Sequence, residues 1–213
     1  MYERQSTSRA RADASRDELR ASVVRAIEER GRVAAPVEGA AALEGPAWYE
    51  LHDSGNGRFF AGMHADKLRH VADRGAWVKW DGCRWAPTTA SDLTEAATDA
   101  AEALLVESFR EPDEDMRTKK TSWAIRSSCA SALRAMVEVA APRLKTMAGD
   151  YDLSRDVLCV TNGVVDLRDG SLRPHSRDDL ITRLVPVEYD PAAACPRWER
   201  FLSEIFDGDE DLI

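Results

Sequence analysis

The sequence predicts an α+β fold, with two small antiparallel β-meanders, a helical pair between them and flanking helices. Three observations carry that prediction. Asp81-Gly82, Asn162-Gly163 and Asp169-Gly170 each separate short runs rich in β-branched or aromatic residues, which is a hairpin signature. The segment between the two groups of runs has no such turns, and its apolar residues recur at helical spacing. Finally, 44% of the 213 residues are hydrophobic, enough to bury a core.

Taken in order, the first residues are polar and Arg-rich, and 1–14 read as disordered. Ser15-x-x-Glu18 is a capping-box pattern, and Leu19, Val23, Ala26 and Ile27 follow at helical spacing, so a helix is expected from Arg16 to Glu29, ended by Gly31. Residues 32–46 hold Ala, Gly and two prolines and read as a linker. The division is therefore a flexible arm, 1–46, and a domain, 47–213. Asp53-Ser54-Gly55-Asn56-Gly57 is a turn cluster capping a short helix, Arg58 to Ala65. It has two glycines and no following Lys-Ser/Thr, so it is not a P-loop.

Leu68 to Val71 reads as the first strand of a three-stranded meander. Its hairpin is Trp77-Val-Lys-Trp-Asp-Gly-Cys-Arg-Trp85. A two-residue Asp81-Gly82 turn would pair Trp80 with Cys83, Lys79 with Arg84 and Val78 with Trp85. Alternation then puts Val78, Trp80, Cys83 and Trp85 on a core face. Lys79 and Arg84 would meet on the other face, with Trp77 at its edge. Like charges facing across a ladder are unfavourable. Two readings stay open for the pair: both side chains extend into water, the default for Lys and Arg, or a nucleic-acid phosphate sits between them.

A helix is expected from Leu93 to Arg110, started by Ser91 and Asp92. Its alanines suit close packing. The acidic run Glu111 to Asp115 breaks it. A second long helix is expected from Met116 to Val139, with Ile125, Cys129, Ala132, Leu133, Met136 and Val139 on one side. Lys119, Lys120, Arg126 and Arg134 fall on a neighbouring arc with Trp123 among them. That arc is either a solvated helix face or a track for a phosphate backbone with one stacking aromatic.

The second meander is expected from Val157–Thr161, Val164–Leu167 and Leu172–His175, with Asp166 opposite Arg173. A helical turn over Asp179–Ile181 and an edge strand, Thr182–Tyr189, containing Pro186, follow. Pro196 opens a last helix, where its missing N–H costs nothing. Trp198, Phe201, Leu202 and Ile205 form an i, i+3, i+4, i+7 stripe expected to face the core, and Gly208 ends the helix.

Composition narrows the function. The net charge of -9 argues against a uniformly basic nucleic-acid coat but allows a local basic face. No apolar run approaches the roughly 20 residues that span a bilayer, so no membrane partner is expected. The opening residues carry no secretory signal. Cys83, Cys129, Cys159 and Cys195 lie far apart without Cys-x-x-Cys spacing; three of them read as small core residues in a reducing cytoplasm. His52, His64, His70 and His175 lack metal-ligand spacing. Asp207, Asp209 and Asp211 read as a solvated helix terminus rather than a calcium loop. No Gly-x-Ser-x-Gly elbow is present. No catalytic or metal site is expected.

Two blocks of residues, in order, resemble a known family. The first is Asp53-x-Gly55-Asn56-x-Arg58-Phe59, with Leu68-Arg69-His70-Val71 and Trp77-x-x-Trp80-Asp81-Gly82-x-Arg84-Trp85. The second is Asn162-Gly163-Val164-Val165-Asp166-Leu167 and Leu172-Arg173-Pro174-His175, then Tyr189-Asp190-Pro191 and Cys195-Pro196-x-Trp198-x-x-Phe201-Leu202. Over about residues 48 to 208 this resembles the N-terminal helicase-associated domain of phage and plasmid primase–helicases, shared with the poxvirus replicative primase–helicase. The resemblance implies a non-catalytic role in DNA replication, aiding DNA engagement or ring assembly in a bacterial cytoplasm that hosts a phage, prophage or plasmid.

It also implies single-stranded or forked DNA as a partner, a ring-forming superfamily 3 helicase domain as the following segment, and homo-oligomers. ATP and Mg are expected only for that downstream helicase domain, because the sequence stops before any Walker A lysine; whether the chain counts as part of an ATP-dependent enzyme depends on that domain. No primase is expected in the short arm. The alternative is a protein–protein docking module without DNA contact. A stand-alone enzyme is disfavoured, since no nucleophile–base pair can be assembled. The candidate DNA-binding residues are Trp77, Lys79 and Arg84 on the hairpin and Lys119, Lys120, Trp123, Arg126 and Arg134 on the helix.

Overall fold

The computed structural model describes residues 51–207, together with Glu18, Ala21, Ser22, Val24 and Arg25, which are helical. The expected disordered start, the linker, most of the helix Arg16–Glu29 and the stop at Gly208 lie outside the described residues. The fold is the expected α+β type, with five helices and two small sheets among the described residues. These residues fall into two compact units, one comprising 51–81 and 85–151, the other 82–84 and 152–207.

In the first unit, α1 (Asp53–His64) starts earlier than expected, because the His52 ring rather than Asp53 or Ser54 caps it; His52 Nδ1 accepts from the Gly55 N–H at 3.1 Å. Strands β1 (Leu68–Val71), β2 (Ala76–Trp80) and β3 (Trp85–Pro87) form the expected meander. The sheet has a fourth member, β4 (Lys145–Thr146), parallel to β1, giving the order β3-β2-β1-β4.

The register of the β2–β3 hairpin differs from the expectation. Trp80 pairs with Trp85, Lys79 with Ala86 and Val78 with Pro87. A type I′ turn needs positive φ at both central residues. Gly82 has it (φ 106°) but Asp81 does not, so the loop runs over four residues, 81–84. Lys79 and Arg84 therefore do not face each other. Trp85 is buried and meets Trp80 edge-on, ring centroids 5.9 Å apart.

Helix α2 (Ala90–Phe109) begins in a capping box: the Thr89 hydroxyl accepts from the Asp92 N–H, and the Asp92 carboxylate accepts from the Thr89 N–H. Ala97, Ala100, Ala101 and Leu104 of α2 join Phe60, Ala61, Leu68, Met136 and Leu144 in the core. The expected second long helix is two helices, α3 (Glu114–Ser127) and α4 (Ala130–Ala140). At the junction Ser127 Oγ donates to Trp123 O and Ser128 Oγ to Ala124 O, back-bonds that compete with the helical ladder.

The break gives each helix its own buried face. Helix α3 buries Ala124 and Ser127, whereas α4 buries Leu133, Met136 and Ala140. Ile125, expected on one side with Leu133 and Met136, is 61% exposed, and Cys129 is the exposed N-cap of α4. Cys159 is buried, Cys83 partly buried and Cys195 exposed, so a single cysteine of the expected three is a core residue. Helices α1 and α4 cross closely at Gly57, where an added Cβ would stand 2.4 Å from Val139 Cγ1.

In the second unit, β5 (Val157–Val160), β6 (Gly163–Asp166) and β7 (Leu172–Arg173) form an antiparallel meander. Cys159, Val164 and Ile181 are its buried cluster. Arg173 pairs with Val164, not Asp166. Asp166 instead binds Arg168 at 2.6 Å, and Arg173 forms a two-bond pair with Asp179 at 2.7 and 2.9 Å.

The expected edge strand 182–189 is not a strand. One parallel bridge, Val160 to Val185, and the bond from Thr161 N to Val187 O hold it beside β5, with Pro186, which lacks an N–H, between them. The helical turn falls at Arg177–Asp179 rather than Asp179–Ile181. Within this unit Arg84 Nη1 donates to Thr182 O at 3.0 Å, and Cys159 Sγ to Cys83 O at 3.7 Å. Helix α5 (Pro196–Ile205) has Pro196 in its first turn as expected. Its stripe does not face a core: no residue of α5 is buried, and Trp198, Phe201 and Ile205 are 57%, 46% and 58% exposed.

Candidate nucleic-acid interface

Helix α3 starts at Asp113, whose carboxylate accepts from the Met116 N–H at 2.7 Å, with Glu114 and Asp115 in the first turn where the helix dipole favours them. Acidic residues fill its N-terminal end and cations its middle. Lys119 and Arg126 are exposed, seven residues apart and so on one flank, with Trp123 between them and partly buried.

Trp123 is held from behind. Its indole N–H donates to Asn56 Oδ1 at 3.0 Å. Asn56 Nδ2 donates to Ser127 Oγ at 2.8 Å, and Ser127 Oγ donates to Trp123 O at 2.9 Å. Asn56 and Ser127 are each 2% exposed, so the ring of bonds closes out of water, where an unpaired group would be costly. The Arg126 guanidinium lies over the Trp123 ring, 5.3 Å from its centroid, a cation–π contact. The result is a cation on an anchored aromatic plate, with Lys119 beside it. That combination suits a phosphodiester chain: point charges for phosphate, and a planar guanidinium for phosphate or a base face.

The other sequence-derived candidates stand in different surroundings. Lys120 is ion-paired to Glu111, whose carboxyl it holds below the usual carboxylate range. Arg134 is on α4, past the helix break, and its Nε donates to Ala130 O at 3.1 Å. The expected arc of Lys119, Lys120, Arg126 and Arg134 is thus not one continuous helix face. On the sheet, Lys79 binds Asp92 at 2.5 Å and, with the Thr89 hydroxyl and N–H, holds that carboxyl well below its ordinary range. Trp77 packs against the core and against His70, ring centroids 5.1 Å apart. Arg84 belongs to the second unit. No hydrogen bond or ion pair links Trp77 or Lys79 to α3 among the described residues.

Three of the four histidines hydrogen-bond the backbone. His52 caps α1, His64 Nε2 lies 3.1 Å from Ala96 O, and His175 Nε2 lies 2.8 Å from Val160 O. Burial pushes the His64 pKa down, opposed by its bond to Ala96. Asn56 is the residue that sequence reasoning missed. It was legible as part of a turn cluster, but its partners are 67 and 71 residues away.

A family model described as D5 N terminal like matches residues 57–207. No curated protein matches the chain. None of the described helices is long and apolar enough to cross a membrane.

Proposed function

The chain belongs to the D5 N-terminal-like family, the N-terminal domains of D5-like primase–helicases, and from that premise we propose that it is a non-catalytic domain that engages DNA for a replicative ring helicase. The observation that supports this reading is the Lys119–Trp123–Arg126 strip, built on a buried amide network rather than left as loose surface charge. Single-stranded or forked DNA is the substrate it suits, since exposed bases and phosphates are both within the reach of such a strip. The reading assigns ATP and magnesium to a helicase domain, not to residues of this chain, and places the protein in the cytoplasm of a bacterium carrying a phage, prophage or plasmid.

The second reading is a docking module that assembles ring subunits without touching DNA. The net charge of -9 and the exposed Trp198, Phe201 and Ile205 favour it. Fluorescence anisotropy at low salt with single-stranded and forked oligonucleotides separates the two. Binding that is lost on reversing Lys119, Lys120, Arg126 and Arg134 to Glu supports DNA engagement. No binding to either oligonucleotide leaves the docking module.

A further inference from the structure

We propose that Cys83 and Cys159 are a redox pair: oxidation by a peroxide joins them in a disulfide that locks the loop of the β2–β3 hairpin onto strand β5. This goes beyond the DNA reading, which rests on α3. The two thiols stand 76 residues apart in the chain. The fold gathers them in the second unit, which holds loop residues 82–84 as well as β5. The Cys159 thiol points at the Cys83 backbone, its Sγ 3.7 Å from the Cys83 carbonyl oxygen. A residue's Cβ stands about 3 Å from its own carbonyl oxygen, so at most about 7 Å separates Cys159 Sγ from Cys83 Cβ, against about 3 Å across a disulfide. The loop is the element that closes this gap. It runs over four residues between the paired Trp80 and Trp85, and Gly82 takes it through a φ of 106°. Its far end is already seated on the second unit, where Arg84 Nη1 donates to Thr182 O at 3.0 Å.

Unequal surroundings assign the roles. Cys83 is partly exposed, whereas Cys159 is buried against Val164 and Ile181. Peroxide therefore meets Cys83 first, and Cys159 resolves the product. The Cys83 thiolate attacks one peroxide oxygen; an S–O bond forms, the O–O bond breaks, and the leaving hydroxide takes up the thiol proton as water. The Cys159 sulfur then attacks Cys83 Sγ; the S–S bond forms, the S–O bond breaks, and the hydroxyl leaves with the Cys159 proton as a second water. Two thiols and one hydrogen peroxide thus give one disulfide and two waters. A thiol reductant reverses the bond by exchange. Because the linked residues are far apart in sequence, the bond restricts the unfolded chain strongly and raises stability.

The test titrates hydrogen peroxide into the full chain carrying Cys129→Ser/Cys195→Ser, exposed positions whose replacement leaves this pair alone. Thiols are counted, and digests made without reductant are read by mass spectrometry. The expected result is loss of two thiols, a peptide pair linked through Cys83 and Cys159 in a species of single-chain mass, and a melting temperature raised by about 5 °C. Dithiothreitol should reverse all three. Adding Cys83→Ser should abolish the link and the rise, with circular dichroism verifying that this variant is folded. Thiols that persist through the titration, sulfinic acid at Cys83 without a linked pair, or an equal rise in the Cys83→Ser variant overturns the proposal. The α3 strip is untouched in these variants, so any of these failures leaves the DNA reading standing.

Discussion

Asn56 is the residue on which the candidate interface turns. Its amide satisfies two groups at once, the Trp123 N–H and the Ser127 hydroxyl, where water does not reach. Asn56→Ala leaves both without that partner and should cost about 1–3 kcal/mol of stability, read by urea denaturation; a loss within experimental error would mean the network carries no energy. His64 makes a separate prediction. Its folded pKa lies below the ordinary 6.5, because burial disfavours the imidazolium. Above that value neither state takes up the proton. As pH falls through it, the unfolded chain protonates first and stability declines. Denaturation curves at neutral and mildly acidic pH should therefore converge for His64→Gln, relative to the decline in the parent protein. An identical decline in both would remove His64 as the cause.

At the scale of elements, two close fits organise the first unit. Gly57 lets α1 meet α4 without a Cβ, and Gly57→Ala must displace Val139 or its backbone. The expected cost is about 1–3 kcal/mol, measured as a lowered melting temperature. An unchanged melting temperature would show that the crossing gives way freely. The six strands of the two meanders, the Pro196 helix start and the α+β class were legible in the sequence, since they follow from local periodicity and turn chemistry; the edge strand expected over 182–189 is a single bridge instead. The β2–β3 register was not, because Asp-Gly marks a reversal without stating its length, and Asp81 stays out of the left-handed region. Strand β4 has two residues, and its partner β1 lies far back in the chain. The break after Ser127 comes from hydroxyls that bond their own helix, a competition invisible to hydrophobic spacing. The stripe of α5 was readable to the residue, yet amphipathicity specifies an apolar face and says nothing about what covers it. The cations of the candidate site were equally plain, but their neutralisation by Asp92 and Glu111 depends on tertiary placement.

For the whole molecule, a net charge of -9 sets the conditions under which DNA binding is seen. Long-range repulsion of a polyanion works against the local attraction of the α3 strip, and salt screens both within about 10 Å at 0.1 M. Affinity is expected to be weak and confined to a small contact. Each phosphate neutralised on a single strand contributes about 0.7 to the slope of log affinity against log salt. The most direct test is that slope for single-stranded DNA, compared between the parent chain and Lys119→Glu/Arg126→Glu. The account predicts weaker binding in the variant, by at least about tenfold, and a slope smaller in magnitude by about 1.4. Equal affinity and equal slope in the two proteins would contradict it.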